Sequence, residues 1–143
     1  MLLYLDNCCF NRPFDDQSQL RIHLETEAKL SIQTRILSGA YRLVWSYIMD
    51  YENRQNPFRE RREQIARWRT RSSLIVTESE RILNDAAQFH CQGLRKMDAL
   101  HLACAVNAQV DCFLTTDDGI IRKSHLVTLR VTDPIGFIKE SAS

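Results

Sequence analysis

The chain has 143 residues, of which 44% are hydrophobic and 26% are charged. Those values are typical of a globular protein that buries a core without disulfides or metal staples, so we expect a single domain over residues 1–143. The 19 basic and 18 acidic residues leave a net charge of +1. This balance excludes a protein that binds nucleic acid through bulk positive charge alone.

The cysteines and the apolar segments bear on the compartment. No pair of cysteines has CxxC spacing, and their positions do not match a zinc site: Cys8, Cys9, Cys91, Cys104 and Cys112. The apolar run at residues 1–5 is too short for a signal sequence, and no stretch approaches the roughly 18 apolar residues of a membrane span. We therefore expect reduced cysteines in a cytoplasmic protein without a membrane segment.

The first third of the chain predicts a strand, a loop and a long helix. Residues 2–5 form a continuous apolar run that ends at Asp6, which is typical of a central parallel strand. A loop is expected over residues 11–16. Residues 17–38 predict a helix, and Gly39 would end it. Apolar residues recur there at every fourth position, which suggests one buried stripe: Leu20, Leu24, Ala28, Ile32 and Ile36.

The middle of the chain predicts a second strand followed by two helices. Residues 42–45 are a short strand candidate, and Ser46 can cap a helix that runs through Glu52. Asn56-Pro57 breaks that helix, because the residue before proline avoids the helical region. A further helix is expected over residues 57–69, with the proline in its first turn.

The remaining segments continue the alternation of strands and helices. We expect strands at residues 73–76, 112–116 and 127–131, and helices at 78–91, 97–108, 120–124 and from 135 onward. Gly93 would end the helix at 78–91, and the helix at 97–108 is apolar nearly all round, as a buried helix is. Together these elements predict a three-layer α/β/α sandwich with a central, mostly parallel sheet.

Four carboxylates stand where this architecture places ligand sites. Asp6 and Asp117 follow apolar strands, Asp98 begins the most buried helix, and Glu52 lies on the helix after the second strand. Carboxylates beside a core are costly to desolvate unless they are paired or bind a cation. Oxygen ligands favour the hard cations Mg²⁺ and Mn²⁺. The set predicts a divalent metal site.

Taken singly, each of these residues has a structural explanation. Asp6 can cap a turn, Asp98 can complement a helix dipole, and Asp117-Asp118 can form a turn with Gly119. Glu52 alone is no more informative than other surface acids. Only their joint placement at strand ends and buried-helix starts favours a metal site.

The chain resembles the PIN domain family, the metal-dependent ribonuclease fold of VapC-type toxins. The resemblance spans residues 2 to about 138 and is carried by four segments: Tyr4-Leu5-Asp6-Asn7, residues 46–52, residues 97–103 and residues 113–117. The more specific motifs are Asp98-Ala99-Leu100-His101-Leu102-Ala103 and Leu114-Thr115-Thr116-Asp117. The resemblance implies a PIN-like fold.

Residue by residue, the resemblance implies that Asp6, Glu52, Asp98 and Asp117 are the catalytic and metal-binding acids, with Asp118 in reserve. One position departs from the family pattern. Asn7 stands where the family commonly has Ser or Thr, which leaves the role of that hydroxyl to Thr115 or Ser46.

The resemblance implies an Mg²⁺- or Mn²⁺-dependent endoribonuclease that hydrolyses RNA to a 5′-phosphate and a 3′-hydroxyl. It also implies a possible antitoxin partner and a homodimer. Two alternatives stay open: a catalytically inactive PIN-fold module that binds RNA or a protein, and a receiver-like phosphoacceptor domain with Lys123 near its expected lysine.

Several other residues have both a functional and a structural interpretation. The basic segment, defined as Arg59, Arg61, Arg62, Arg67, Arg69 and Arg71, is a candidate surface for nucleic acid or an acidic partner, although pairs such as Glu63 with Arg67 would make it a solvated helix face. Trp68 fits the apolar stripe better than a base-stacking role. We expect His101 to be buried against a carboxylate or backbone group, and Arg12 to contact either a phosphate or its own loop.

Overall fold

The computed structural model describes residues 1–141 and contains one sheet of five strands. The strands are β1 (Leu2–Leu5), β2 (Arg42–Ser46), β3 (Leu74–Val76), β4 (Cys112–Leu114) and β5 (Arg130–Thr132), in the order β3-β2-β1-β4-β5. Every neighbouring pair is parallel, as the sequence predicted. The order differs from the 2-1-3-4-5 arrangement of flavodoxin-like folds, which rules out the receiver-like alternative.

Helices connect the strands and cover the sheet. They are α1 (Asn7–Asn11), α2 (Leu20–Leu37), α3 (Tyr47–Arg54), α4 (Arg59–Thr70), α5 (Glu80–Cys91), α6 (Lys96–Asn107), α7 (Asp118–Arg122) and α8 (Pro134–Ser141), with 3₁₀ turns at Arg12–Phe14 and Ser124–Leu126. Consecutive strand residues point to opposite faces, and Leu3, Tyr4 and Leu5 are all fully buried. Both faces of β1 are therefore covered, which confirms the layered α/β fold.

The central strands bring three chain segments to one edge of the sheet. In β1 and β4, Tyr4 and Phe113 are in register and their rings stack with centroids 5.3 Å apart. Because the strands are parallel, Asp6, Ser46 and Thr115, which end or follow β1, β2 and β4, lie at the same edge. The candidate site is built there.

Two predicted boundaries shift because side chains cap the backbone locally. The helix expected over residues 57–69 begins only at Arg59, since Oδ1 of Asn56 accepts the backbone N–H of Phe58. The helix expected at 120–124 begins at Asp118, because Asp117 caps it. The last strand is Arg130–Thr132 rather than 127–131, because residues 124–126 form a 3₁₀ turn.

The predicted buried stripe of α2 is wrong in its first half. Leu20 and Leu24 are 71% and 46% exposed, whereas Glu25 and Lys29 are buried with Ile32. A four-residue step turns an α-helix by about 400°, so a stripe with that spacing drifts about 40° at every step. It cannot stay on one face over four steps, and the buried face follows the helical period instead.

The remaining predictions about helix ends and cysteines can be checked directly. Gly39 and Gly93, which were expected to end helices, both have positive φ, 85° and 111°, as residues after a helix often do. All five cysteines are free. Across residues 1–141, no helix combines the length and the apolar character that a membrane crossing requires.

Candidate metal centre

Asp6 is the best-fixed carboxylate at this edge of the sheet. It follows β1 and caps α1, a short helix that the sequence analysis did not predict. Its Oδ1 accepts the backbone N–H of Asn7 at 2.7 Å, and its Oδ2 accepts the Oγ1 hydroxyl of Thr115 at 2.9 Å. The residue is 5% exposed. Asp6 therefore serves as a helix cap and also presents a buried carboxylate to the site.

Glu52 reaches the same place from α3 and contacts a buried histidine of α6. Nε2 of His101 bonds to Oε1 of Glu52 and lies 3.6 Å from Oδ1 of Asp6. Ligand atoms of Asp6, Glu52 and His101 all lie within 4.8 Å of one another. The expectation that His101 is buried against a carboxylate is met, and its position makes it part of the cluster.

A hydrogen-bonded chain fixes the far side of the His101 ring. The phenol oxygen of Tyr4 lies 2.6 Å from Nδ1 of His101 and 2.7 Å from Oγ of Ser46. Ser46 in turn accepts the backbone N–H of Met49 and so caps α3, as predicted. This chain links β1, β2, α3 and α6, and it orients the imidazole toward Glu52.

Asp98 and Asp117 add negative charge beside this group without joining it. Asp98 lies in the first turn of α6, where burial, then the charges of Asp6 and Asp117, raise its pKa to about 6. Asp117 caps α7 by accepting the backbone N–H of Gly119 at 2.7 Å. The raised pKa of Asp98 places it in one electrostatic environment with Asp6 and Asp117. These three aspartates, Glu52 and His101 are called the acidic cluster below.

His101 responds to the same charges in the opposite sense. Burial alone would lower its pKa, but Asp6, Glu52 and Asp98 outweigh burial and raise the pKa above its usual value. When it is protonated, the imidazole offsets part of the negative charge at this edge. It leaves the remaining carboxylate charge to be balanced by another cation.

The donor set fits a hard divalent cation. Carboxylate and carbonyl oxygens are the ligands that Mg²⁺ and Mn²⁺ prefer. Besides the acids, the buried Oδ1 of Asn7 has no hydrogen-bond partner among residues 1–141, and Asn7 lines the same depression as Glu52. Such an oxygen is costly to bury unless something binds it. Asn7 is thus a further possible ligand that the sequence analysis treated only as a departure from the family pattern.

Two polar residues from the sequence analysis lie outside the cluster. Asp118, the reserve acid, is exposed and binds the guanidinium of Arg21 at 2.8 and 3.0 Å, away from Asp6. Arg12 pairs with Asp15 and with the buried Glu25, so its role is structural. Tyr4 was missed as a contributor, because nothing in an apolar strand pattern indicates what its hydroxyl binds.

The comparisons with known proteins bear on the fold. No family model matches the chain, and no curated protein matches it. Among solved structures, VapBC-1 from nontypeable Haemophilus influenzae contains a chain with a TM-score of 0.59 and 15% identity, and the match covers 94% of this chain and 98% of that one. The chain has a PIN-like fold. VapBC2 from Rickettsia felis, solved bound to a promoter DNA fragment, matches with a TM-score of 0.58 and 14% identity over 93% and 98% of the two chains.

Several arginines of the basic segment are held by neighbouring residues. Arg59 pairs with Glu63 instead of the expected Glu63–Arg67 pair, and Arg62 donates to the carbonyl of Asn56. Arg69 lies 3.5 Å from Asp50. Only part of the segment therefore remains available to a partner.

A depression of about 300 Å³ adjoins the acidic cluster through Glu52. Its wall includes Phe58, which is 54% exposed, and the guanidinium of Arg61, which lies 4.2 Å from the centre of the Phe58 ring. Arg61 is further held by the carbonyl of Phe14 at 2.8 Å. The result is an exposed aromatic and cationic surface next to the carboxylates.

Proposed function

We propose that this protein is a Mg²⁺- or Mn²⁺-dependent endoribonuclease. The observation that supports this most is the convergence of Asp6 and Glu52 at the carboxyl edge of the sheet, with Asp98 and Asp117 close enough to influence each other. Carboxylates crowded in this way repel each other and an RNA backbone. A divalent cation removes both problems at once.

The residues proposed to hold the cation are Asp6, Asp98, Asp117 and Glu52. When bound, a divalent cation lowers the pKa of a coordinated water and neutralises charge that develops on the phosphate. Glu52, oriented by His101, would hold the attacking water in position through its carboxylate. Thr115 keeps the Asp6 carboxylate in position, the part that the family assigns to a hydroxyl near the first aspartate.

The depression beside Glu52 is the proposed path for the RNA. A nucleotide next to the cleaved bond would stack on Phe58, and Arg61 would face its phosphate. Stacking on an exposed aromatic ring suits single-stranded RNA, because every base has a flat face. This placement puts a base and its phosphodiester beside the carboxylates at the same time.

The proposed partner of the protein is an antitoxin. Both similar structures are VapBC assemblies, so the fold is one that occurs in such pairs. A small protein encoded beside this one is expected to bind it and to stop RNA cleavage at an equimolar ratio. If the purified protein stays fully active while the small protein encoded beside it is bound, the toxin role is contradicted.

A homodimer is also proposed, through an apolar groove between α3, α5 and α6. The groove has a volume of about 520 Å³, and its walls include Tyr51, Leu83 and Leu100. Tyr51 and Leu83 are exposed in the single chain, although they are large apolar residues. Light scattering should give the mass of two chains for the wild type and of one chain for Leu83→Asp.

The experiment that tests the nuclease is cleavage of a mixed pool of single-stranded RNA with Mn²⁺ or Mg²⁺. EDTA should abolish cleavage, and Asp6→Asn and Asp98→Asn should reduce it by at least about a hundredfold. Asp118→Asn is the matched control, because Asp118 is an exposed aspartate paired with Arg21. It should cleave like the wild type.

The alternative is a catalytically inactive module that binds RNA or a protein. The contact between Glu52 and His101 favours it to some extent, since it satisfies one carboxylate without a metal. Tight RNA binding without cleavage, in protein that has been shown to hold Mn²⁺, would favour that alternative over the enzyme.

A further inference from the structure

Lys29 is a buried lysine with no anionic partner among residues 1–141. It lies in the middle of α2, is 3% exposed, and has neither a hydrogen bond nor an ion pair with any of residues 1–141. Its ammonium only faces two aromatic rings, Phe10 at 5.1 Å and Trp68 at 5.9 Å from the ring centres. An unpaired buried charge is costly, and no residue of α2 neutralises the Lys29 ammonium.

The acid one turn earlier on the same helix does not supply the missing partner. Glu25 is buried, but its carboxylate is bound by Arg12 at 3.1 Å, and Arg21 lies 3.6 Å away. Burial, opposed only weakly by Cys9, lowers the pKa of the Lys29 ammonium to about 7. An anion beside the ammonium would favour its charged form again.

Lys29 lines a pocket of about 320 Å³ between α1, α2 and α4. The other basic residues of its wall are Arg67 and Arg71, and the guanidinium of Arg71 lies 5.7 Å from the Trp68 ring centre. No carboxylate lines the pocket among the described residues. The rest of the wall is apolar or carries an amide: Phe10, Pro13, Phe14, Leu30, Gln33, Leu37, Gln64 and Trp68.

We propose that this pocket binds a small organic anion, with a carboxylate or phosphate group against Lys29 and an apolar body against Trp68 and Leu30. Arg67 of α4 and Arg71, which directly follows α4, complete the anion site, because both line the same pocket. The amides of Gln33 and Gln64 are available to donate to the remaining oxygens. The pocket is lined by none of the acidic cluster's residues, so the proposal does not depend on nuclease activity.

The ligand class follows from the shape and composition of the wall. Three cations without an acid select negative charge, and a wall of aromatic and leucine side chains selects an apolar body. Inorganic phosphate would satisfy the charge and leave the apolar wall unfilled. A neutral aromatic molecule would fill the wall and leave Lys29 buried without a partner.

The test is a titration of the full chain with phenyl phosphate and with benzoate, in which calorimetry and tryptophan fluorescence measure binding. Trp68 lines the pocket, whereas Trp45 is fully buried behind Phe10 and does not line it, so most of the fluorescence change should disappear in Trp68→Phe. Inorganic phosphate and benzamide, which lack the body and the charge respectively, should bind at least about tenfold more weakly.

Lys29→Met removes the charge and keeps the length of the side chain, and it should weaken binding of both anions by about tenfold or more. Lys139→Met, at an exposed lysine of α8, is the matched control and should bind like the wild type. Arg71→Gln, outside the core, should weaken binding as well and serves if Lys29→Met does not fold. The proposal is overturned if neither anion binds at 10 millimolar, which is roughly the weak end of small-ligand affinities. It is also overturned if wild type, Lys29→Met and Arg71→Gln bind the anions equally.

Discussion

Thr115 donates a hydrogen bond from its hydroxyl to Oδ2 of Asp6 across 109 residues of sequence, at 2.9 Å. The same oxygen of Thr115 accepts the backbone N–H of Asp117 at 3.0 Å. One hydroxyl therefore couples the carboxylate that follows β1 to the backbone of the acid that follows β4. Asp6 therefore has a hydroxyl partner, although the residue that follows it is Asn7 and not a serine or threonine.

Replacement of Thr115 by valine should disturb both carboxylates while keeping the shape of the side chain. It leaves the Asp6 oxygen and the Asp117 N–H without their partner, which should lower the free energy of unfolding by about 1–3 kcal/mol. Mn²⁺ affinity should fall as well, because Asp6 is no longer held. Thr115→Ser keeps the hydroxyl and should behave nearly like the wild type in urea denaturation and in calorimetry. Equal behaviour of the valine and serine variants would show that the hydroxyl is dispensable.

Replacement of Tyr4 by phenylalanine should loosen His101 without touching a carboxylate. The change removes the hydroxyl between Nδ1 of His101 and Oγ of Ser46, both buried, at a cost of about 1–3 kcal/mol in the free energy of unfolding. Tyr41→Phe is a suitable control, because the Tyr41 hydroxyl accepts a hydrogen bond from the exposed Arg35. Denaturation of both variants measures the difference. A cost no larger for Tyr4 than for Tyr41 would mean that the chain of hydrogen bonds contributes little.

The stability of the protein should depend on pH through Lys29. In the folded chain the pKa of Lys29 is about 7, whereas a lysine in the unfolded chain has a pKa of about 10.4. The unfolded chain therefore binds more protons between these values, so the free energy of unfolding rises with pH across that window. Below pH 7 the full cost of protonating the buried amine remains.

Lys29→Met should be more stable than the wild type at pH 7, and the gap should narrow as pH rises. Between pH 7.5 and 9.5 the difference in the free energy of unfolding is expected to shrink by about 2 kcal/mol. Urea denaturation of the two proteins at several pH values isolates this lysine, because the other titrating groups are common to both. Parallel profiles would contradict a depressed pKa at Lys29.

Replacement of Phe58 by alanine should weaken RNA binding without affecting the cation. Loss of one stacked base costs about 1–3 kcal/mol, which corresponds to roughly fivefold to 150-fold in affinity. Phe58→Tyr keeps the ring and should retain affinity, and Mn²⁺ binding should be the same in all three proteins. Fluorescence anisotropy with a labelled single-stranded RNA gives the affinities. Unchanged affinity in Phe58→Ala would exclude the depression as the RNA path.

The sequence predicted the sheet well because its strands are short apolar runs with clear ends. β1 and β2 lie within a residue of their predicted bounds, and the parallel arrangement follows from the alternation of strands and helices. Local caps such as Asp117 and Asn56 moved helix starts by about two residues, since a side chain that accepts a backbone N–H decides where the first turn begins. Such contacts leave little trace in an apolar pattern.

Long-range contacts explain what the sequence could not predict. Glu25 is buried because Arg12, which lies thirteen residues earlier, pairs with it, and no helical pattern indicates that contact. The contacts of Tyr4 with His101 and Ser46 join residues 97 and 42 positions apart. Asp6 and Asp117 lie at one edge of the sheet because the ends of parallel strands meet there, a placement that follows from topology alone. The residues that orient the acids could not be predicted in this way, because their contacts form only in the packed core.

Calorimetric titration with Mn²⁺ tests most directly whether the acidic cluster binds a divalent cation. The wild type and Asp118→Asn should bind Mn²⁺ with the same affinity, while Asp6→Asn and Asp98→Asn should bind at least about tenfold more weakly, since each loses one negative ligand. Circular dichroism establishes that the variants are folded. Equal Mn²⁺ affinity in all four proteins, or no Mn²⁺ binding by the wild type, would contradict a metal site at the acidic cluster.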